Sequence, residues 1–138
     1  MNGVRNIFWA GGFLYDRANQ SIFLHKRDGN TPFSPHKWAF FGGQNEGVES
    51  AAECFVRELE EEIGLKVRTD EVKWLREYLN TDTNQHRVVF FVEKAVPVDQ
   101  LVLGEGAGFS WFKLGEVLSL DLAVKTRLDF EFFLTQLV

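Results

Sequence analysis

The chain is poor in cysteine and proline, and it has no long apolar run. Of its 138 residues only Cys54 is a cysteine, and three are prolines. A single cysteine cannot form an internal disulfide, which is typical of proteins in the reducing cytoplasm. No apolar run reaches the roughly 20 residues that a membrane-spanning helix needs, and the N-terminus lacks a secretory signal pattern. We therefore predict a cytoplasmic protein without a membrane partner.

Basic residues are also scarce, and they form no run. Lys and Arg total 15 against 20 Asp and Glu, which gives a formal net charge of −5. Such a chain is not expected to bind nucleic acid non-specifically, and it would repel phosphates unless a cation reversed the local charge. The three histidines, His25, His36 and His86, lack the spacing of a metal site.

The residues that are abundant predict a globular α/β protein. Apolar residues make up 45% of the chain and 14 residues are phenylalanine, so one domain over residues 1–138 is expected. Composition and alternation predict strands near residues 4–15, 21–26, 38–41, 67–79, 87–96 and 109–112. The first two strands are expected to form a hairpin through a turn at 16–20. The spacing of Phe130, Phe133, Leu134 and Leu137 predicts a C-terminal amphipathic helix.

Residues 43–65 carry most of the chemical information. They fit the pattern G-x5-E-x7-R-E-U-x-E-E-x-G-U, where U is a bulky aliphatic residue. The matching positions are Gly43, Glu49, Arg57, Glu58, Leu59, Glu61, Glu62, Gly64 and Leu65. At average residue frequencies, chance would give such a match about once per billion starting positions.

The same stretch predicts a helix with one apolar and one acidic side. Ser50 and Glu53 have the spacing of a capping box, and Gly64 is suited to a left-handed helix end. The apolar stripe comprises Ala52, Phe55, Val56, Leu59 and Ile63. Glu58, Glu61 and Glu62 fall at i, i+3 and i+4 on the side away from that stripe.

The acidic side would be unfavourable without a bound cation. Like charges at i and i+4 cost about 0.2–0.5 kcal/mol, and negative charge near a helix C-terminus costs about 0.3–1 kcal/mol. Arg57 can offset part of this through Glu61, four residues on. Oxygen ligands without Cys or His favour Mg²⁺, with Mn²⁺ as a substitute. The alternative is a solvated acidic face, which we retain for Glu53 and Glu60.

The 43–65 pattern is similar to the box of the Nudix hydrolases, and the order of elements resembles the Nudix fold, an α/β/α sandwich with a mixed β-sheet between helices. The resemblance implies a hydrolase that cuts the pyrophosphate of a nucleoside diphosphate linked to another group. It implies metal ligation by Glu58, Glu62, Glu61 and the Gly42 carbonyl, with Glu61 a possible base. It also implies an Arg57–Glu49 ion pair that orients the glutamates. Many relatives have proline where this chain has Phe41.

Two residues outside the box are candidates. Glu105 lies in a glycine-rich loop, where several relatives carry a metal-bound or basic glutamate; the alternative is an ordinary acidic loop residue. Arg27 ends the second predicted strand and could bind a substrate phosphate, or it could simply be solvated.

The resemblance is strongest to the small MutT-like enzymes, which implies a nucleoside triphosphate substrate converted to a monophosphate and pyrophosphate. A nucleotide sugar is the competing substrate. Two other classes of function stay open: a non-catalytic Nudix-like nucleotide-binding regulator, and an α/β interaction domain with an acidic helix. The sequence identifies neither the base, sugar and leaving group nor the oligomeric state.

Overall fold

A computed structural model describes residues 7–31, 34–104 and 106–137. Within them, seven strands form one mixed sheet. The strands are Phe8–Asp16 (β1), Ser21–Lys26 (β2), Trp38–Ala39 (β3), Phe41–Gln44 (β4), Val72–Asn80 (β5), Gln85–Glu93 (β6) and Gly108–Lys113 (β7). The helices are Ala51–Ile63 (α1), Leu114–Val117 (α2) and Val124–Gln136 (α3). None of the helices described is both long enough and apolar enough to cross a bilayer.

Strand β1 lies at the centre of the sheet. It pairs with β6 in parallel along one edge, and on the other edge with β2 and β4, both antiparallel. The β1–β2 hairpin confirms the predicted turn, but its pairing stops at Leu14 and Phe23. Beyond that point β4 replaces β2 beside β1, while β3 pairs with the end of β2. The chain therefore changes partner strands at Phe40, between β3 and β4.

Helices cover both faces of the sheet and create two apolar cores. On one face, Phe55, Leu59 and Ile63 of α1 are fully buried against strands β1, β4 and β6. On the other face, Phe130 and Phe133 of α3 pack with apolar side chains of β1, β2 and β6. This arrangement confirms the predicted α/β fold with a mixed sheet between helices.

Both ends of α1 are capped as the sequence predicts. The Ser50 hydroxyl accepts a hydrogen bond from the Glu53 N–H, and the Glu53 carboxylate accepts one from the Ser50 N–H. Gly64 ends the helix at φ 69°. The segment before β7 completes the C-terminal end, because the Gly104 N–H donates to the Glu62 carbonyl at 2.8 Å.

The structure corrects three boundaries. Gly42 and Gly43 lie within β4, beyond the end of the strand predicted near residues 38–41, because their backbone pairs with β1. The strand predicted from residue 67 begins at Val72, after a short 3-10 turn at Thr69–Glu71. The strand predicted at 87–96 spans Gln85–Glu93 instead. Tertiary pairing, which local composition does not encode, sets these limits.

Candidate active site

Gly42 and Gly43 of β4 have no side chains, so groups on both faces of the sheet approach the backbone closely beside α1. A Cβ atom on Gly43 would lie 2.3 Å from Glu58 Oε1, whereas one on Gly42 would lie 2.6 Å from Cζ2 of Trp9. The two glycines thus face opposite sides of the sheet, as successive strand residues do. Glu58 and Trp9 approach the same piece of backbone from opposite faces.

Arg57 organises the exposed part of the acidic cluster. Its guanidinium donates from Nε and Nη2 to the two carboxylate oxygens of Glu49, at 3.0 and 2.8 Å. Its Nη1 donates to Glu61 at 2.9 Å and to Glu58 at 3.3 Å. The hydrogen bonds from Arg57 lower the pKa of Glu49 to about 2, and the Glu49 carboxylate in turn raises the pKa of Arg57. The Arg57–Glu49 and Arg57–Glu61 pairs inferred from the sequence are therefore present.

Glu62 is buried, contrary to the helical-wheel expectation that it faces away from the core. Only 4% of the residue is exposed. Its Oε2 accepts a hydrogen bond from the Gly42 N–H at 3.1 Å, and its Oε1 lies 3.8 Å from Nε2 of His25. The sequence treats position 62 as polar surface, but the edges of β2 and β4 cover that side of α1.

His25 is the buried neighbour of Glu62, and its spacing in the sequence indicated no metal role. Burial, reinforced by the charge of Arg27, lowers the pKa of His25 to about 4, so the ring is neutral near pH 7. Its contact with Glu62 is therefore not an ion pair at that pH. The Nε2 atom lies 3.0 Å from the Phe40 carbonyl, and Phe41 stacks on the ring at 4.9 Å. Phe41, at the position where many relatives carry proline, thus packs against His25.

The three box glutamates are held apart in this structure. Among the described residues, no three His, Cys, Asp or Glu side chains are grouped so that they could hold a metal ion. Arg57 contacts Glu58 and Glu61, while Glu62 turns towards Gly42. The donor chemistry still fits a hard cation: Mg²⁺ in proteins commonly takes one or two carboxylates and completes its shell with water and substrate phosphates. The space that Gly43 leaves for the Glu58 carboxylate is consistent with that role.

A cavity of about 500 Å³ opens on the opposite face of the paired glycines. Gly42 and Gly43 form part of its lining, together with Trp9 and Arg87. Its charged lining residues are Arg27, Arg87 and Lys125 against Asp82. In an acidic protein, this cavity therefore has a local excess of positive charge.

Arg27, the predicted phosphate-binding residue, lines this cavity just beyond the end of β2. Its Nη2 donates to the Thr31 hydroxyl at 2.7 Å, which holds the side chain in place. A second cavity, of about 480 Å³, lies between the β1–β2 turn and β7 and is lined by no residue of the box. The first cavity is therefore the one that belongs to the box.

The predicted glutamates and their direct partners fall into three groups. Glu49, Arg57, Glu58 and Glu61 form one connected network; Glu62 and Gly42 form a second contact; and Glu105 lies outside the described residues. Sequence reasoning missed His25, Trp9, Arg87 and Asp129. Strand alternation could have placed the first three on particular faces, but it could not have shown what lies opposite them.

Comparisons with known proteins identify the family and the fold. The model of the NUDIX domain matches residues 9–131. A MutT structure from work on Aliivibrio salmonicida and Vibrio cholerae is similar, with a TM-score of 0.79 and 23% identity over 96% of this chain and 99% of that chain. The Nudix domain of Shewanella oneidensis NrtR, complexed with ADP ribose, has a TM-score of 0.74 and 18% identity, over 100% of this chain and 91% of that one.

A bifunctional NMN adenylyltransferase/ADP ribose pyrophosphatase from Francisella tularensis, complexed with AMP and manganese, also has a TM-score of 0.74. It is 16% identical, over 99% of this chain and 43% of that chain. No curated protein matches the chain significantly by sequence. The structural likenesses are below 25% identity and establish the fold alone, whereas the NUDIX match covers most of the chain. This protein therefore belongs to the Nudix family, as a pyrophosphohydrolase that acts on acid anhydrides in nucleoside diphosphate derivatives.

Proposed function

We propose that the protein hydrolyses a nucleoside triphosphate to a nucleoside monophosphate and pyrophosphate, with Mg²⁺ or Mn²⁺ as the cofactor. One observation supports this most directly. The Gly42–Gly43 segment of β4 borders both the carboxylate of Glu58 and a positively charged cavity. A nucleotide in that cavity would present its pyrophosphate at the same glycines.

The cavity suits a small anionic ligand. Its volume of about 500 Å³ lies within the roughly 300–1,000 Å³ of typical small-molecule sites. Three cationic residues against one acidic residue line it, in a chain whose net charge is −5. Arg27 is the residue that we assign to a substrate phosphate.

Glu58 and Glu62 would hold the metal ion, with Glu61, Glu105 and the Gly42 carbonyl as further proposed ligands. A bound divalent ion supplies positive charge for the pyrophosphate oxygens and makes a bound water more acidic. Arg57 fixes Glu58 and Glu61 relative to Glu49, and the Gly42 N–H fixes Glu62. Preorganised charges of this kind contribute much of the barrier reduction in enzymes.

The chemical step would be attack of a water oxygen on phosphorus. A new P–O bond forms, the P–O bond of the anhydride breaks, and pyrophosphate leaves with the electron pair. Glu61 is the proposed base that takes the water proton, because 46% of its side chain is exposed and an ionised carboxylate can accept a proton there. Glu105 is the alternative base.

Nucleotide sugars are the second candidate substrate class. The Shewanella oneidensis NrtR domain, which has the same fold, was crystallised with ADP ribose, a nucleoside diphosphate joined to a sugar. A non-catalytic regulator is less well supported, since every box residue is present from Gly43 to Leu65.

A substrate panel tests the proposal. We would measure phosphate and pyrophosphate release from nucleoside triphosphates and nucleotide sugars, with Mg²⁺, with Mn²⁺ and with EDTA. Triphosphates should be the best substrates, and EDTA should abolish turnover. Turnover that persists in EDTA would contradict the metal requirement, and a clear preference for sugars would favour the second class.

Variants test the residue roles. Glu62→Gln should lower turnover by orders of magnitude and weaken Mn²⁺ binding in equilibrium titration, because it removes a ligand charge. Glu60→Gln is the matched control, since Glu60 is an exposed residue of the same helix. Full turnover in Glu62→Gln would refute the ligand assignment.

Glu105→Gln tests the glutamate outside the box, and it should slow turnover more than Glu60→Gln does.

A further inference from the structure

Arg87 is an arginine buried in the wall of the substrate cavity. It lies near the start of β6, in register with Trp9 of β1, and only 8% of the residue is exposed. Its Nε donates to Asp129 Oδ2 at 2.8 Å, and its guanidinium carbon lies 3.9 Å from the centroid of the Trp9 ring. The Nε side of the guanidinium is therefore held by Asp129, and one of its faces is covered by the Trp9 ring.

The terminal nitrogens of Arg87 are left for a ligand. Neither has a hydrogen-bond acceptor among residues 7–31, 34–104 and 106–137. They are not sealed in the core, because the one buried side-chain nitrogen or oxygen without a partner in that part of the chain is Nδ1 of His25. Since Arg87 lines the cavity, these donors are accessible from it. An arginine that is nine-tenths buried with unused donors needs acceptor atoms there.

The charge around Asp129 also favours a ligand at Arg87. Asp129 is fully buried, and it receives hydrogen bonds from Arg76, Arg87 and the Tyr78 hydroxyl. Two guanidinium groups thus share one carboxylate, which leaves a surplus of one positive charge. Because desolvating an uncompensated charge is costly, electron-rich acceptor atoms from a ligand would be stabilising.

The position of Arg87 indicates which end of a nucleotide it contacts. Arg87, Trp9 and Gln44 are paired in one row across β6, β1 and β4. Two strand spacings separate Arg87 from Gln44, or about 10 Å between Cα atoms. Gly43 is next to Gln44, so this separation leaves room for a sugar between the proposed pyrophosphate position and Arg87.

The surroundings of Arg87 suit a planar base better than a phosphate. The lining residues that strand register brings near Arg87 include the Trp9 ring and the amides of Asn80 and Gln85. We propose that Arg87 determines base specificity by donating two parallel hydrogen bonds to adjacent acceptors of the nucleobase, the O6 and N7 atoms of guanine. The inference rests on the proposed function, because it assumes that a nucleotide occupies this cavity.

Guanine fits this donor pair, and adenine does not. An arginine fork bonds bidentately to guanine O6 and N7, whereas adenine presents an amino donor in place of O6. A glutamine, with one donor and one acceptor, bonds instead to adenine N6 and N7. Each such pair provides about 5- to 150-fold discrimination. The substitution Arg87→Gln should therefore change the preferred base and not only weaken binding.

The experiment compares kcat/KM for GTP, ATP, CTP and UTP in wild-type protein, Arg87→Gln and Arg87→Lys. Calorimetric titrations with GMP and AMP in EDTA measure binding without turnover. The wild type should prefer GTP to ATP, and bind GMP more tightly than AMP, by at least about fivefold. In Arg87→Gln this ratio should fall below one, and in Arg87→Lys it should approach one.

Arg76→Gln is the matched control. Arg76 shares Asp129 with Arg87 but is not among the described residues that line the cavity. This variant should therefore keep the wild-type GTP/ATP ratio, whatever its effect on stability. Circular dichroism of all variants establishes that they are folded, and Arg87→Lys retains the charge if Arg87→Gln fails to fold.

The outcomes separate the two proposals. Hydrolysis of all nucleotides at similar rates, or a preference for a base other than guanine, would overturn the role of Arg87 while the proposed function stands. A uniform loss of binding for all bases in Arg87→Gln would show that Arg87 binds phosphate, which also overturns it. Preferential GMP binding without any triphosphate hydrolysis would support the Arg87 assignment and refute the proposed function. Absence of binding to any nucleotide refutes both.

Discussion

Gly43 is the position where a single methyl group would disturb the proposed metal site most directly. The atom that its Cβ would meet is the carboxylate oxygen of Glu58, at 2.3 Å. This oxygen is the far end of a flexible side chain, so it can move away at little cost in stability. The Glu58 carboxylate would, however, be displaced from the position that the proposed metal binding requires.

We therefore expect Gly43→Ala to reduce kcat on the order of 100-fold, as small misplacements of catalytic groups do. Its melting temperature should change little. Gly115→Ala is the control, because no atom lies within 4 Å of a Cβ at that position. Equal turnover in the two variants would show that the Glu58 position is not critical.

Cys54 illustrates how burial removes the reactivity of a side chain. The residue is fully buried, and burial, followed by the hydrogen bond and charge of Glu49, raises the pKa of the thiol to about 12. This environment is that of an inert packing residue. The thiolate, which is the reactive form, is therefore scarce at ordinary pH.

Cys54 in the native protein should accordingly react with a thiol reagent at pH 8 roughly 1,000-fold more slowly than a free cysteine, from the difference in thiolate fraction. The rate should rise with pH up to the raised pKa. Labelling in denaturant provides the unprotected reference. A native rate equal to the denatured rate would mean that the thiol is exposed.

At the scale of elements, α1 depends on its ends as well as its apolar side. Its N-terminal capping box satisfies two N–H groups, and Gly64 with the segment around residue 104 satisfies carbonyls at the other end. The acidic side chains in its last turns oppose the helix dipole, and the helix has no basic residue in its last turn. The caps therefore offset part of the cost of concentrating carboxylates there.

Ser50→Ala should lower the free energy of unfolding by about 1 kcal/mol, the usual value of an N-cap. Chemical denaturation measures this change. Ser50→Asp retains an acceptor at the cap and should stay close to wild type. If both variants lose the same stability, the hydroxyl is not acting as a cap.

At the scale of the molecule, Asp129 connects α3 to the sheet. This single buried carboxylate contacts Arg76 and Tyr78 of β5 and Arg87 of β6. Removing it would leave two arginines without their counter-ion in a largely buried place. Loss of one partner from such a pair is far more costly than loss of an exposed ion pair.

Asp129→Ala should therefore destabilise the fold by about 3–5 kcal/mol, a fall in melting temperature of roughly 10–20 °C for a chain of this size. Calorimetry measures both. Asp121→Ala, which breaks an exposed ion pair with Lys37, is the control and should have little effect. A small effect at Asp129 would mean that the arginines are solvated without it.

The sequence by itself determined the family, the fold class and the ends of the box helix. These features depend on local spacing: the Ser50–Glu53 cap, the Gly64 stop, the hairpin turn and the periodic apolar residues of α1. In α3 the spacing correctly placed Phe130 and Phe133 in the core, but Leu137 lies beyond the end of the helix and is exposed. Spacing along a helix also placed Arg57 within reach of Glu61, and the contact is present at 2.9 Å. Local patterns are readable because helix and turn geometry repeats over a few residues.

Only the tertiary structure decided what lies across from each of these residues. It buried Glu62, which the helical wheel assigned to the surface, and it placed Gly42 and Gly43 in a strand that borders both a carboxylate and a cavity. It also brought Trp9, Arg87 and Asp129 together from distant parts of the chain. Contacts between separate strands and helices depend on register and packing across the whole sheet, and the order of residues along the chain does not state them.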